Sequence, residues 1–118
     1  MEKEFILYEQ ALALKELGFK EECFGYYDKD GDFYTVAVGK LLSAPLYQQA
    51  FRWFREKHKL HSTITSISQE SWQWHITKPG ESLGKLYNED FYTYEEAESA
   101  CLDKLIEICK AKTNEQSD

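Results

Sequence analysis

The stretch that decides the fold class is residues 23–38, with the sequence CFGYYDKDGDFYTVAV. Aromatic and β-branched residues flank a turn-forming run at residues 28–32, and an Asp30-Gly31 step lies inside that run. An Asp-Gly step between such segments is a strong signal for a β-hairpin. The stretch therefore predicts two antiparallel strands, with Gly39 ending the second.

Two segments beside this hairpin have helical periodicity. In residues 8–17 the apolar side chains recur at helical spacing, and Gly18 follows where glycine commonly ends a helix. A second helix is predicted over residues 45–59, with residue 43 or 44 as its N-cap. Pro45 then lies in the first turn, where its missing N–H removes no hydrogen bond.

The C-terminal helix has the clearest start signal. Thr93 and Glu96 have the spacing of a capping box, in which each side chain satisfies a backbone N–H of the other residue. Apolar residues then recur at helical spacing from Ala97 to Cys109. Residues 111–118 are polar and are predicted to form a flexible tail.

A second antiparallel pair is predicted over residues 61–78. Trp72, Trp74 and Ile76 alternate there with polar residues, so these three side chains share one face. Residues 80–92 are predicted to be a loop with a short extended piece at residues 86 and 87.

The resulting element order is α-β-β-α-β-β-α. It predicts an α+β fold in which three helices pack on one face of a single antiparallel sheet of about four strands. The expected domain organisation is one domain over residues 1–110, followed by the tail.

Charge and composition exclude several classes of protein. The 118 residues carry a net charge of −7, and an acidic protein repels nucleic acid, so we expect no binding to free DNA. The first residues lack the basic stretch and apolar run of a signal peptide. No apolar segment approaches the roughly 18 residues of a membrane helix. We therefore expect a cytoplasmic protein with no membrane partner.

The sequence contains no pattern typical of an active site. Cys23, Cys101 and Cys109 form no C-x-x-C pair, and eight helical residues separate the last two by about 12 Å, beyond the roughly 7 Å limit for a disulfide. Buried thiols are the favoured interpretation. An enzyme would require Cys23 or the histidines to converge on a pocket. We predict neither catalysis nor a cofactor.

Two metal-binding interpretations are considered and rejected. Residues 28–39 begin like a calcium loop, but an EF-hand needs glycine at its sixth position and glutamate at its twelfth, whereas here Gly31 is fourth and Gly39 is twelfth. His58 and His61 lie three residues apart without further ligands nearby in the sequence. A hairpin turn and two exposed histidines are the favoured interpretations.

Positive charge concentrates in the second predicted helix. Residues 52–59, RWFREKHK, contain four basic residues and one acidic residue. Helical spacing places the candidate partner-binding residues on one outward stripe with a tryptophan at its edge: Gln48, Arg52, Arg55, Lys59 and Trp53. Such a stripe can contact an acidic protein surface or RNA phosphate held by a protein. The alternative is an ordinary solvated helix face.

Several segments carry a family resemblance. They are residues 13–19 (ALKELGF), 23–27 (CFGYY), 43–57 (SAPLYQQAFRWFREK), 92–102 (YTYEEAESACL) and 104–108 (KLIEI). These segments resemble a family of short proteins encoded by tailed phages and prophages of Bacteroides-like bacteria. Residues 60–90 show little resemblance. The family pattern contains no catalytic motif, so it transfers no functional residues to this chain.

The resemblance implies a small phage protein that acts inside an infected bacterium. Small acidic phage proteins of this kind are similar to anti-CRISPR inhibitors. The favoured function is therefore binding and inhibition of a host defence protein, with a CRISPR RNA-guided nuclease or its RNA-bound complex as a target class. The alternative is a structural or regulatory phage protein that self-associates as a homodimer through its many aromatic residues.

Overall fold

The computed structural model describes residues 2–37, 39–79 and 87–116. The chain forms two units, Met1–Ala50 and Phe51–Asp118. Among the described residues each unit contains a three-stranded antiparallel sheet. The α+β class with antiparallel strands is therefore confirmed, and the order of helices and strands is α-β-β-β-α-β-β-β-α, with six described strands in two sheets where about four strands in one sheet are predicted. The single domain over residues 1–110 stays a prediction.

The first unit contains one complete helix and one sheet. A 3₁₀ helix at Glu2–Glu4 precedes helix α1 (Tyr8–Glu16). The strands that follow are β1 (Gly25–Tyr27), β2 (Phe33–Tyr34) and β3 (Leu42–Ala44). Their spatial order is β2-β1-β3, with both pairs antiparallel. The unit closes with the first turn of helix α2 (Tyr47–His58).

Helix α1 ends as its sequence predicts. The Phe19 N–H donates to the Leu14 carbonyl at 2.9 Å, and the Gly18 N–H donates to the Lys15 carbonyl at 3.1 Å. Gly18 has a φ of +103°, which only glycine adopts at little cost. This is a Schellman motif, and it brings Phe19 back into the core, where it is buried.

Aromatic rings from the N-terminal segment and the hairpin form the core of the first unit. Phe5 packs against Phe33 with ring centroids 4.9 Å apart, and Tyr27 packs against Phe33 at 5.5 Å. The buried Tyr27 hydroxyl donates to the Ile6 carbonyl at 2.7 Å. A Cβ on Gly25 would lie 2.7 Å from atoms of both phenylalanine rings, so this position in β1 requires glycine.

The N-terminal boundary predicted for the second helix is wrong. Leu42–Ala44 form strand β3, which pairs with Tyr27, Tyr26 and Gly25 of β1. The Pro45 carbonyl accepts a hydrogen bond from the Ile6 N–H at 3.1 Å, and Leu46 forms an isolated bridge with Phe5. Pairing with distant residues therefore keeps this segment extended until Tyr47.

The second unit contains the rest of α2, one sheet and the longest helix. Its strands are β4 (His61–Ser68), β5 (Ser71–Thr77) and β6 (Tyr87–Phe91), and helix α3 spans Tyr94–Gln116. The spatial order is β4-β5-β6, antiparallel throughout. The predicted β4–β5 pair is confirmed. Strand β6 corrects the loop predicted for residues 80–92, of which residues 80–86 lie outside the described residues.

Helix α3 packs on one face of this sheet. Trp74 and Ile76 of β5 are buried, as are Cys101 and Leu105 of α3. The predicted capping box is present in part, because the Glu96 N–H donates to Oγ1 of Thr93 at 3.1 Å, whereas the Glu96 carboxylate accepts the Thr93 hydroxyl at 3.0 Å instead of the Thr93 N–H. The helix continues to Gln116, so the predicted tail at residues 111–118 is helical over most of its length. Within the described residues, no helix has the length and apolar character needed to cross a membrane.

Candidate functional site

The polar residues predicted to form a stripe on α2 are all exposed. Gln48 lies in the first turn of the helix and belongs to the first unit, whereas Arg52, Arg55 and Lys59 belong to the second unit. Their spacing of three residues places Arg52 and Arg55 on one side of α2, and Lys59 follows the last helical residue, His58. We call these three residues the basic stripe.

Trp53 does not belong to this exposed surface. Its side chain is only 4% exposed and packs edge-on against Phe54 and His58, with ring centroids 5.0 and 4.9 Å away. The expectation that Trp53 forms the edge of a binding surface is therefore wrong. An indole buried among other rings stabilises the fold instead.

Lys59 ends the helix that carries the stripe. Its φ of +58° lies in the left-handed region, which is unfavourable for a residue with a Cβ. The Leu60 N–H then donates to the Phe54 carbonyl at 3.2 Å, and Leu60 is buried. The Lys59 ammonium donates to the Glu56 carbonyl at 3.2 Å, so the side chain folds back over the last turn.

The cysteines lack the environment of an activated nucleophile. All three are free and buried. Burial raises the pKa of Cys23 to about 11, with a further contribution from the charge of Glu21. Burial likewise raises the pKa of Cys101 to about 12. Because the thiolate is the reactive form, both thiols are inert at neutral pH.

The histidines and carboxylates do not assemble a metal centre in the described part of the chain. There, no group of three or more His, Cys, Asp or Glu side chains is arranged to hold an ion. His58 stacks against Trp53 and Phe54. His61 and His75 lie on neighbouring strands, opposite Thr77 and Thr63 respectively.

The turn that resembles a calcium loop is held by its own first aspartate. Oδ1 of Asp28 accepts the N–H groups of Asp30 and Asp32, both at 2.9 Å, and Oδ2 accepts the Tyr34 hydroxyl at 2.9 Å. These donors, Asp32 first, lower the pKa of Asp28 below its usual value. The arrangement closes a hairpin turn and leaves the Asp30 and Asp32 side chains exposed.

The hairpin carries an exposed apolar surface that sequence analysis missed. Phe24 is 77% exposed, Val36 is 63% exposed and Tyr34 is 41% exposed. Tyr26 of β1 lies directly opposite Tyr34 of β2. Phe24 and Val36 lie just outside these two strands. We call the three exposed residues Phe24, Tyr34 and Val36, together with the acidic turn at residues 28–32, the hairpin surface.

A shallow cleft in the first unit is smaller than typical small-molecule pockets. Its volume is about 140 Å³, and it lies between α1 and β3. Pockets that bind small molecules typically measure about 300–1,000 Å³. Its lining contains one titratable group, Lys15, beside apolar residues and Ser43.

Comparison with known proteins returned no match to a family model, to a curated protein or to a solved structure.

Proposed function

We propose that this chain is a non-enzymatic phage protein that binds a host defence protein and inhibits it, with CRISPR RNA-guided nucleases as the target class. The proposal depends mainly on the hairpin surface. Its apolar side chains are exposed beside an acidic turn, and exposed apolar surface with a polar rim typically marks a protein–protein interaction site.

Phe24 is the expected anchor of the interaction. A phenylalanine that is 77% exposed contributes little to the stability of the free protein. It offers a large apolar area that a partner can cover. Aromatic residues are enriched among the few interface positions that dominate binding free energy. Tyr34 and Val36 contribute further exposed apolar area to the hairpin surface.

The acidic turn gives the proposed surface its charge preference. Residues 28–32 contain three aspartates and one lysine, and the whole chain carries a charge of −7. Carboxylates beside an aromatic patch complement a basic protein surface, and they speed the encounter with it. RNA-guided nucleases present such surfaces, because the channels that hold their nucleic acids are positively charged.

The protonated, buried thiols support a binding role over catalysis. Burial raises the pKa of Cys23 to about 11, which leaves almost no thiolate at neutral pH. Inhibition by occupation of a surface requires no reactive group.

The basic stripe is proposed as a second contact surface, as its sequence suggests. It would meet acidic protein groups or guide-RNA phosphate held by the nuclease. The variant Arg52→Glu/Arg55→Glu tests this contribution. It should retain the parent melting temperature and inhibit less well. Full inhibition by the folded double variant would show that the basic stripe is an ordinary solvated surface and does not contact the partner.

The functional test is co-expression with a panel of RNA-guided nucleases in bacteria challenged by a targeted phage or plasmid. We expect loss of interference with at least one nuclease and co-purification of the two proteins. Normal interference with every nuclease would contradict the proposal.

A matched pair of variants links any inhibition to the hairpin surface. Phe24→Ala removes an aromatic side chain that is 77% exposed, and Tyr92→Ala removes one that is 79% exposed in the second unit. Only Phe24→Ala should reduce inhibition. Equal loss with both variants, or none with either, would place the binding surface elsewhere.

A further inference from the structure

Strand β4 presents an open edge of its sheet. The strand order is β4-β5-β6, so β4 has a hydrogen-bonded neighbour on one side only among the described residues. In an antiparallel pair, the backbone N–H and C=O groups of alternate residues point away from the neighbouring strand. β4 is eight residues long and therefore offers a substantial row of such groups.

The two edges of this sheet are protected very differently. Proteins commonly block edge strands with charged residues, proline or bulges, because an open edge can pair with another strand. Strand β6 carries Glu89 and Asp90. Strand β4 contains no Asp, Glu, Lys, Arg or Pro, and its register shift lies near its end, between Ser66 and Ser68.

The sequence of β4 is complementary to itself. Residues 62–66 read Ser-Thr-Ile-Thr-Ser in both directions. If two copies align antiparallel about Ile64, this residue faces Ile64 of the second copy, Thr63 faces Thr65, and Ser62 faces Ser66. Thr–Thr and apolar cross-strand pairs of this kind stabilise a sheet.

We infer that β4 pairs with β4 of a second copy of this chain, joining two three-stranded sheets into one sheet of six strands around a two-fold axis. A two-fold interface uses the same patch on both copies, which is the condition that a palindromic strand meets. The neutral strand also lets two molecules of charge −7 meet without facing like charges.

The burial of individual side chains agrees with this pairing. Ile64 lies opposite the buried Trp74, on the α3 side of the sheet, yet it is only half-buried, and no described strand covers the edge beside it. In the dimer the two Ile64 side chains would cover each other. Thr63 and Thr65 are exposed on the opposite face. The inference is independent of the proposed inhibitory function.

The oligomeric state is the first test. Sedimentation equilibrium should give a species of twice the 13.9 kDa chain mass that dissociates on dilution. A monomer up to millimolar concentration would overturn the inference.

Charge variants test the register. Thr63→Lys/Thr65→Lys places lysine opposite lysine at two points, as does Thr63→Glu/Thr65→Glu with carboxylates. Each variant alone should raise the dimer dissociation constant roughly tenfold or more. A mixture of the two should restore dimerisation, as a heterodimer. Thr77→Lys, on the central strand, is the matched control and should dimerise normally. A dimer that tolerates either double variant would use another surface.

Crosslinking tests the pairing even if the charged variants are unstable. Ile64→Cys should form an intermolecular disulfide under mild oxidation, because cross-strand partners lie within disulfide range. Ser66→Cys faces Ser62 of the second copy and should not crosslink. Equal crosslinking of both variants, or of neither, would contradict the register.

Discussion

The Tyr34 hydroxyl donates a hydrogen bond to Oδ2 of Asp28 at 2.9 Å, across the turn that closes the β1–β2 hairpin. The same carboxylate accepts the N–H groups of Asp30 and Asp32. One side chain therefore fixes the shape of the acidic turn and orients an aromatic residue of the hairpin surface. The contact raises the pKa of Tyr34, since the hydroxyl proton is held by the carboxylate.

This geometry predicts an order of effects for two variants. Asp28→Ala removes three hydrogen bonds and should destabilise the protein more than Tyr34→Phe, which removes one. The pKa of Asp28 is lowered in the folded state, so its contribution is present above the ordinary carboxyl pKa and is lost as pH falls through the folded value. Urea unfolding of the parent and the two variants at neutral pH measures the order of destabilisation. The same experiment at acidic pH measures the loss of the Asp28 contribution. A larger effect of Tyr34→Phe would contradict the assignment of Asp28.

Gly25→Ala should destabilise the first unit. The added methyl group would lie 2.7 Å from ring atoms of Phe5 and Phe33, and overpacking of this kind costs about 1–3 kcal/mol. Thermal unfolding measures the loss. Gly39→Ala is the comparison, since a Cβ there meets nothing within 4 Å and any effect arises from its φ of +75° alone. A neutral Gly25→Ala would show that the rings can move apart.

Cys101 should make folding stability sensitive to alkaline pH. Burial raises its pKa from 9.0 to about 12, so the unfolded thiol ionises first as pH rises. The contribution of the protonated Cys101 thiol to the free energy of unfolding is complete below about pH 9, and it is lost as pH rises toward 12. At pH 10.5 the loss should be about 2 kcal/mol. Comparing the unfolding free energy of the parent and Cys101→Ala at pH 8 and 10.5 isolates this effect. A difference that does not change with pH would contradict it.

Lys59→Gly should stabilise the protein. Lys59 has a φ of +58°, and glycine adopts that conformation without the strain of a Cβ. The gain should be about 0.5–1 kcal/mol after the greater freedom of glycine in the unfolded chain is subtracted. Lys57→Gly, inside the helix, should instead cost about 1 kcal/mol. Chemical denaturation of both variants checks the opposite signs, and a destabilising Lys59→Gly would show that its contact with Glu56 dominates.

Local sequence signals predicted the elements whose cause is local. Gly18 ends α1, Thr93 caps α3, and the Asp30-Gly31 step forms its turn, because each depends on neighbours within a few residues. Strand β3 depends on pairing with β1, whose partner residues lie 15 to 19 positions earlier in the sequence. Local signals do not reveal this pairing, and they instead favour a helix N-cap at residue 43 or 44.

The candidate surfaces were predictable only in part. Helical spacing correctly placed Arg52 and Arg55 on an exposed face. It could not decide whether Trp53 faces the core or solvent, because this residue lies between the polar and apolar stripes. Phe24 was missed because the hairpin has aromatic residues on both faces. Their alternation therefore gives no signal of which ring faces the core and which faces solvent.

The proposed function is tested most directly by the affinity of the purified protein for an RNA-guided nuclease that loses interference on co-expression, measured for the parent, Phe24→Ala and Tyr92→Ala. Loss of a dominant aromatic anchor costs about 2 kcal/mol or more, so Phe24→Ala should raise Kd by roughly thirtyfold. Tyr92→Ala should leave Kd within about threefold of the parent. Parent affinity should also fall as salt rises, since the acidic turn would face a basic surface. An unchanged Kd for Phe24→Ala would contradict the account.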